Sequence, residues 1–451
     1  MKSSTIDSKF IEENRKEIGM LIRKVRDEKG LRLKDLGDGK ASVTTISNIE
    51  RGTNQHTTEM ITYLLEKLGI HSLEELSDML EHERNYLSVI QFKLQSIETL
   101  VKLQQYEKAL NNLEQLQLSD THHYAPWFYY LNGRCLQGLH QWIQAEKLFS
   151  YAINLLEERP KEDNIESACY LETSYCEYIM NDVNSALLFT DQGIQAFIED
   201  GDRQNVLHQL YLNKSVFYNK MNRMEGIIAL DSLSSILHQV KDISIKLKYY
   251  WLRAEYARKS GKLQESLQYA EEGLVLAEEN NSFNMILEFW LCIGDTLASM
   301  GDFKEAENRL LLAIQFNPSL VEPRSIVSGN LRLGMLYLRQ NLQDKAESFL
   351  NVARTMATDL GDITKLLHAL LFLGDIEINK ENHSSAVQHY QQAQELASQY
   401  NFKKHEHQAW SRLANAWQNV NDNEFQKCAS KVLELQESAM WKGDYYYDEI
   451  A

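Results

Sequence analysis

The chain has few of the residues that interrupt helices or cross-link a fold. Only 4 of its 451 residues are proline, which ends or kinks a helix because it lacks a backbone N–H. Its 5 cysteines follow no metal-ligand or disulfide spacing, a pattern typical of buried thiols in a reducing compartment. The chain is therefore predicted to be mostly helical, without a disulfide framework and without a metal site.

Long hydrophobic runs are also absent. No stretch of about 18 consecutive apolar residues occurs, so no membrane-spanning helix is expected. Residues 1–19 contain no apolar run of the kind that a signal peptide needs. With 43% hydrophobic and 25% charged residues, the composition is that of a soluble globular protein. We expect a cytoplasmic protein of more than one domain, without a membrane contact.

The sequence motifs of common enzyme classes are missing as well. There is no glycine-rich phosphate loop, no HExxH zinc motif and no nucleophile elbow. The histidines at 122–123 and in "HEH" at 405–407 are interpreted as solvated side chains rather than as metal ligands. The sequence thus predicts no catalytic residue, no cofactor and no enzymatic activity.

Charge is divided unevenly along the chain. Residues 1–70 hold 13 Lys or Arg against 11 Asp or Glu, a balance of +2, whereas the remaining residues carry −19, which gives the formal net charge of −17. An acidic surface repels the phosphates of nucleic acid. Any contact with DNA must therefore come from the front of the chain.

The body of the chain repeats with a period of 40 residues. Small or closely packed residues recur at this spacing, after a first step of 41, at Gly133, Ser174, Lys214, Ala254, Gly294, Gly334, Gly374 and Ala414. A second series lies twelve residues further on, at Ala145, Ala186, Gly226, Ser266, Ala306, Ala346, Ala386 and Gln426. An earlier unit around Ile97 and Ala109 makes nine. Because small residues let two antiparallel helices approach closely, each unit is predicted to be a helical hairpin.

These units resemble the tetratricopeptide repeat. The clearest one carries the aromatic, glycine, alanine and proline positions of that pattern at Trp290, Gly294, Ala306, Ala313 and Pro318. Lys214 and Gln426 depart from the pattern, so the fourth and ninth units are degenerate. Compared with the usual unit of about 34 residues, the extra length adds about 9 Å of helix. The resemblance implies an all-α fold, a right-handed α-solenoid with a deep concave groove that binds extended peptides or partner helices.

The front of the chain is predicted to hold four or five short helices. Apolar residues at helical spacing mark a first helix in "IGMLIRKVRDEKG" at 18–30, and "LRLKDL" starts a second. "SVTTISNIERG" forms a third with Ser42 as its N-cap, and "TTEMITYLLEKLGI" a fourth that ends at Gly69. Residues 1–70 resemble the helix-turn-helix domain of phage-repressor type, the XRE family. The resemblance implies that Ile46 and Ile49 face the core and that Glu50 pairs with a first-helix arginine, most simply Arg23.

The same resemblance assigns a DNA-binding surface to the third helix. Its exposed start would reach base edges in the major groove with Ser42, Val43, Thr44 and Ser47. The residues placed for phosphates are Lys40, Arg51, Thr53 and Asn54. The turn "LGDGKAS" departs from the family because it has glycines where a helix-favouring stretch is usual, which predicts a short second helix. No Arg, Asn or Gln precedes Asn48 in the third helix, so DNA shape and dimer spacing should matter more than direct base readout.

Two segments flank the repeats. Residues 71–87, within the charged sequence "SLEELSDMLEHERNYLSV", are predicted to form a rigid connecting helix. This helix would join residues 1–70, which we call the head, to a repeat domain at 88–440. The tail at 441–451 is aromatic, and it either docks on the last repeat or a second subunit or stays loose.

A repressor-type head on nine long tetratricopeptide-like units resembles the RRNPP family of peptide-sensing regulators in Gram-positive bacteria, with an NprR/PlcR-like organisation. The likeness is architectural and covers the whole chain, and its specific motifs lie in the head. It implies a transcription regulator that forms homodimers and binds double-stranded DNA. In this family a re-imported signalling peptide of about five to ten residues lies in the solenoid groove and changes the oligomeric state or the DNA affinity, which is quorum sensing.

One stripe of each unit is predicted to face the groove and to hold the peptide. We call the first small residue of each unit, such as Gly294, its packing residue. The stripe comprises the residues six and three positions before the packing residue and one, four and five positions after it. The candidate peptide-binding residues are Tyr175, Tyr178, Tyr211, Tyr218, Asn219, Trp251, Glu255, Arg258, Asp295, Arg339, Asn379 and Asn415. Asn can pair with both the N–H and C=O of one peptide unit, and aromatic side chains bury area at low entropy cost. The alternative is that much of this stripe is merely a solvated inner face.

A second function class stays open. The repeats can instead form a scaffold that binds and inhibits a response regulator or another protein partner, as in a Rap-like adaptor. In that case the head serves only for dimerisation. Sequence-selective DNA binding, with an affinity that falls steeply with salt, distinguishes the two classes.

Overall fold

The computed structural model describes residues 7–52, 57–156, 163–317, 319–418 and 420–442, with side chains as far as Gln436. Every regular element in these ranges is a helix, which confirms the predicted all-helical class. None of the described helices is both long and apolar enough to cross a membrane. The chain divides into two compact units, residues 1–210 and 211–451.

The first unit contains the front of the chain and the earliest repeats. Its helices are α1 Ser8–Glu13, α2 Arg15–Glu28, α3 Leu33–Leu36, α4 Val43–Glu50, α5 Thr58–Lys67, α6 Leu73–Lys102, α7 Tyr106–Leu116, α8 Ala125–Gly138, α9 Trp142–Leu155, α10 Ile165–Ile179, α11 Val183–Ala196 and the start of α12 Asn205–Lys220. The long α6 runs without a break from the head to the first repeat helices.

The second unit consists of stacked helical hairpins. Its helices are the end of α12, α13 Gly226–Ser235, α14 Ile243–Lys259, α15 Leu263–Glu279, α16 Phe283–Met300, α17 Phe303–Ile314, α18 Pro323–Arg339, α19 Gln343–Asp359, α20 Ile363–Asn379, α21 His383–Gln399, α22 Lys403–Trp417 and α23 Asp422–Lys442. A short 3-10 turn, Leu237–Gln239, follows α13.

The first helices of these hairpins lie closer together than the second helices. α14, α16, α18, α20 and α22 contact one another in succession, and no comparable contact joins α15, α17, α19 and α21 to each other in the described part of the chain. A stack of hairpins curves toward the side on which its helices are closer. The first helices therefore line the inner side of this unit, which is where the predicted stripe lies.

The 40-residue period has a direct physical cause in helix packing. An added Cβ at Gly294 would lie 2.7 Å from the Leu310 side chain, and one at Gly334 would lie 2.5 Å from Leu350. Gly374 stands in the same relation to the Tyr390 ring, at 2.2 Å. In each hairpin the glycine thus makes room for a large side chain sixteen residues further on, one helical turn beyond the second small residue.

The turns repeat with the same period. Backbone φ is positive at residues spaced by about 40, and these are mostly Gly or Asn, the two residues that most readily adopt the left-handed conformation. One series closes the hairpins at Asn181, Asn222, Gly261, Gly301, Asn341 and Glu381. The other joins successive hairpins at Asn164, Arg203, Asn281, Gly361 and Asn401.

All five cysteines are free and buried, as the sequence predicts. Burial raises the pKa of the Cys135 and Cys176 thiols to about 12. These thiols are therefore protonated core side chains, and they lie too deep to act as nucleophiles.

The head has one apolar core. Ile18 and Ile22 of α2 and Ile46 of α4 are fully buried, and Leu76 and Leu80 of α6 belong to the same cluster. α2 and α4 cross at very short range, since a Cβ on Gly19 would lie 2.3 Å from the Ile49 carbonyl oxygen. Only glycine fits there without moving the backbone.

The buried ion pair of the head differs from the prediction. Glu50 pairs with Arg26, not with Arg23: the Arg26 Nε donates to Glu50 Oε1 at 2.6 Å and its Nη2 to Oε2 at 3.0 Å. Arg26 lies one helical turn after Ile22 on the buried face of α2, whereas Arg23 is rotated by about 100° from Ile22. The prediction of Arg23 was therefore wrong, although a first-helix arginine does hold Glu50.

Candidate functional site

A charged cleft lies on the inner side of the second unit. Arg258 of α14, Asp295 of α16, and Arg332 and Arg339 of α18 line it. It encloses about 20 Å³, room for roughly one water molecule. Three of these four residues belong to the predicted peptide-binding set, and Arg332 does not.

Two ion pairs form the floor of this cleft. Arg258 Nη2 contacts Glu255 Oε2 at 2.9 Å, and Arg332 Nε contacts Asp295 Oδ2 at 2.6 Å. Burial alone would raise the pKa of Glu255, but the neighbouring Arg258 outweighs it and the pKa falls below its ordinary value. The pKa of Arg332 is raised, because Asp295 and Glu288 overcome the effect of burial. Glu255 and Arg332 are therefore charged at neutral pH.

Arg339 differs from the two arginines of the floor. It is exposed at the last position of α18. No carboxylate pairs with it in the described part of the chain. It stands at the mouth of the cleft with its guanidinium available to a ligand.

The ion pair of Asp295 with Arg332 belongs to a recurring contact. Asp375 of α20 pairs with Arg412 of α22 at 2.9 Å, again 37 residues apart. Asp375 also accepts a hydrogen bond of 2.7 Å from the Tyr390 hydroxyl. In both pairs the acid lies one residue after the packing residue of its own hairpin. The arginine lies two residues before the packing residue of the next hairpin. Asp295 therefore fastens neighbouring hairpins, a role different from the predicted contact with a peptide.

The remaining candidates of the second unit lie along the same inner helices. Lys259 Nζ donates to Asn219 Oδ1 at 2.9 Å, and the Arg223 guanidinium lies 5.1 Å from the Tyr218 ring centre. Tyr211 and Trp251 are half-buried against the core between α12 and α14.

Other candidates are not among the residues that line the cleft. Asn379 and Asn415 are exposed on α20 and α22. In the first unit, Tyr175 is 41% exposed with its ring 6.2 Å from that of Trp142, and Tyr178 is half-buried. These residues offer single polar or aromatic contacts.

A second cavity of this unit has a different origin. About 500 Å³ opens between α19, α20 and α21 over Leu366, Leu370 and Leu396. Two hairpins earlier, the equivalent space is filled by the packed rings of Trp290 and Phe316, 5.4 Å apart. Smaller leucines replace both rings here, so the groove is the volume that they leave.

In the head, the start of α4 is exposed as the resemblance implied. Ser42 is its N-cap and accepts a hydrogen bond from the Thr45 N–H at 3.1 Å. Ser42, Val43 and Thr44 are exposed, with 45% of Val43 accessible. The other predicted contacts with DNA are less uniform: Ser47 and Arg51 are half-buried, Lys40 is exposed with its Nζ 4.3 Å from the Tyr63 ring centre, and Thr53 and Asn54 lie outside the described residues.

The unusual turn before α4 is held by one carboxylate. Asp38 accepts hydrogen bonds of 2.9 Å from the Lys40 and Ala41 N–H groups, and others from Tyr63 Oη and Lys67 Nζ. The Lys67 ammonium and the Tyr63 hydroxyl hold the pKa of Asp38 well below its ordinary value. α3 has only four residues, as the glycines of the turn predict. The hydrogen bonds to Asp38 thus hold the turn between α3 and α4 in place.

Ion pairs fix the head on α6. Arg84 contacts Glu17 and donates to Asn14 Oδ1 at 2.6 Å, and Lys24 pairs with Glu83. The connecting helix therefore carries the head through polar contacts in addition to the shared apolar core.

Comparisons with known proteins support the helical-repeat fold. A family model described as a tetratricopeptide repeat matches residues 367–400, which lie within α20 and α21. No curated protein matches the chain. Among solved structures, the apo form of RapI is 13% identical and covers 79% of this chain and 99% of its own, with a TM-score of 0.57. The apo form of the quorum sensor NprR from B. thuringiensis is 14% identical, with coverages of 74% and 94% and a TM-score of 0.55. These similarities show a shared helical-repeat fold.

Proposed function

We propose that the chain is a cytoplasmic transcription regulator of RRNPP type. In this proposal, residues 1–70 form an XRE-type helix-turn-helix domain that binds double-stranded DNA as a homodimer. Nine tetratricopeptide-like units at 88–440 bind a short signalling peptide that switches the head. The protein is not an enzyme and needs no cofactor.

The exposed first turn of α4 carries the DNA-binding half of the proposal. Ser42, Val43 and Thr44 face solvent, while the opposite face of α4 is fixed by Ile46 and by the ion pair between Arg26 and Glu50. A helix held in this way keeps its N-terminal turn available for the major groove. The head also has a positive balance, +2 against −19 for the rest of the chain, so its charge suits a polyanion.

A polar row on the inner helices supports the peptide-binding half. Residues forty apart follow one another on successive helices, at Asn219, Lys259, Ser299, Arg339 and Asn379. Helices in contact are about 9 Å apart, and an extended chain advances about 3.3 Å per residue, so one hairpin corresponds to roughly three peptide residues. A peptide of the length implied by the family would then span two to three hairpins. The fold shared with the quorum sensor NprR is consistent with this use.

Selection from sheared genomic DNA at near-physiological salt tests the proposal. Val43→Glu places a carboxylate on the exposed turn of α4, where it would repel phosphates, and should weaken the enriched sites more than tenfold. The matched control is Val275→Glu on α15, another exposed valine, 54% accessible against 45% for Val43, with the same charge change. Binding by the unchanged protein and the control, with a steep loss in salt, is the expected result.

The response-regulator scaffold is the second candidate, and the fold shared with RapI over 99% of RapI favours it. It predicts no sequence-selective enrichment in the same selection, with or without host extract to supply peptide. It also predicts that Val43→Glu has no effect on any DNA retained. That outcome would contradict the regulator proposal and leave the repeats as the functional part.

A further inference from the structure

We infer that the ligand of the inner cleft carries a carboxylate, which binds to Arg339 at the mouth formed by α14, α16 and α18. The inference rests on the proposed peptide-binding function and specifies the chemical class of the peptide. Two sources share this chemistry: an acidic side chain and the carboxylate of a peptide C-terminus.

The cleft has more positive than negative side chains. Its cations are Arg258, Lys259, Arg332 and Arg339, and its anions are Glu255, Glu288 and Asp295. Each anion is already engaged. Glu255 pairs with Arg258, and Asp295 with Arg332, while Glu288 accepts a 2.7 Å hydrogen bond from Ser325 Oγ.

Four cations against three anions leave one positive charge in surplus, and Arg339 is the cation that is exposed at the mouth. Lys259 is occupied by the Asn219 side chain, but Arg339 contacts no carboxylate in the ranges that the structure describes. The surplus cation stands in an otherwise acidic protein, with a net charge of −17. A guanidinium offers a planar pair of donors that matches a carboxylate in both shape and charge.

The surroundings strengthen this preference. The Arg258 and Arg332 side chains are each only 12% exposed. Charges interact more strongly where neighbouring groups exclude water. A ligand anion at the mouth would meet Arg339 directly and would be further attracted by the two arginines behind it.

The next hairpin shows that the surplus is local. There the pair of Asp375 with Arg412 is balanced, and the residue equivalent to Arg339 is the neutral Asn379. The residue one hairpin before Arg339 is the neutral Ser299. Arg339 therefore stands in the row between two neutral neighbours, Ser299 and Asn379, which would fix the position of a peptide along the row.

The small volume of the cleft sets where the carboxylate binds. About 20 Å³ admits a water molecule but no side chain. The carboxylate must therefore sit over the exposed Arg339, with its two oxygens toward the guanidinium. A bridging water can occupy the cleft below it.

Three pools of synthetic heptapeptides test the inference on the full-length protein. All exclude Asp and Glu at the randomised positions. The first has a fixed central Asp and an amidated C-terminus, the second a central Asn and an amidated C-terminus, and the third a central Asn and a free C-terminal carboxylate. Peptides retained by the protein are separated by size and counted by mass spectrometry.

We expect the protein to retain the first pool, the third pool, or both, at least tenfold more than the second. Whichever carboxylate pool is retained identifies the source. Arg339→Gln should remove this preference, because its shorter amide side chain is polar but carries no charge. The matched control is Lys304→Gln on α17, an exposed cation away from the cleft, which should keep it.

Equal retention of all three pools would overturn the inference while leaving peptide binding intact. A preference that survives Arg339→Gln would overturn it too, since another cation would then hold the carboxylate. Retention of no pool would refute the inference together with the peptide half of the proposed function, and the DNA selection would still stand as a separate result. A thermal melt shows whether Arg339→Gln stays folded, which is expected for an exposed residue without a partner.

Discussion

In the head and in the hairpins of the second unit, a glycine lies where two helices pack closely. The two regions differ in the group that a side chain at the glycine would strike. At Gly19 the obstacle is the Ile49 backbone carbonyl, whereas at Gly294 it is the end of the Leu310 side chain. A side chain can rotate away, but a carbonyl moves only with its helix. The head therefore depends on one fixed close contact between α2 and α4, while the hairpins repeat one adjustable contact many times.

Removing the buried ion pair should have the largest effect. Glu50→Ala removes the two hydrogen bonds that Glu50 accepts from the Arg26 Nε and Nη2. The buried guanidinium keeps Asp27 and the Leu31 carbonyl oxygen as partners, so we expect a loss of about 3 kcal/mol in the free energy of unfolding of the head, the lower end for a broken buried pair. Hydrogen exchange of peptides from α2 and α4 would report this loss locally. Arg23→Ala should change it by less than about 0.5 kcal/mol. Equal losses from both variants would contradict the assignment of Arg26 as the partner.

The two glycines test the comparison directly. Gly19→Ala forces α2 and α4 apart and should cost about 2–3 kcal/mol, which faster hydrogen exchange in both helices would reveal. Gly294→Ala should cost less than about 1 kcal/mol, because Leu310 can shift and alanine favours the helix. A larger loss of stability for Gly294→Ala than for Gly19→Ala would show that the difference between a backbone carbonyl and a side chain does not set the cost.

Filling the groove of α20 should stabilise the second unit slightly. Leu370→Trp restores the ring that Trp290 supplies two hairpins earlier, and we expect a gain of about 0.5–1 kcal/mol, or about 1–3 °C in the melting temperature. Leu350→Trp is the contrasting variant, since Leu350 is fully buried against Gly334. It should lower the melting temperature. A lower value for Leu370→Trp as well would show that the groove cannot accept a ring.

The smallest effect is expected at the turn before α4. Asp38→Asn removes the charge that holds Lys67 and should speed hydrogen exchange of residues 37–45 a few-fold at pH 7. Because the pKa of Asp38 is lowered in the folded protein, its contribution is present above the unfolded value of about 3.9 and is lost as the pH falls through the folded value. The difference between variant and parent should therefore shrink in acid. A difference that stays constant with pH would contradict the role of the charge.

Much of the fold could be predicted because its signals are periodic. The series through Gly294, Gly334 and Gly374 can be read directly from the sequence once the period of 40 residues is known. The burial of the thiols was predicted from the number and spacing of the cysteines. The partner of Glu50 was missed because two arginines three residues apart both fit the spacing, and only the buried face of α2 distinguishes them. Arg332 and Arg412 were missed because the inner stripe was defined without the position two before each packing residue. An acid followed 37 residues later by an arginine would have revealed both.

The left-handed turn residues have a consequence for changes in chain length. They recur about every 40 residues, and each added residue rotates the following part of a helix by about 100°. A single inserted residue inside a hairpin would turn a packing glycine away from its large partner, whereas a substitution alters only one contact. Each hairpin should therefore tolerate many sequences of one length, and a one-residue insertion or deletion should damage it more than most replacements.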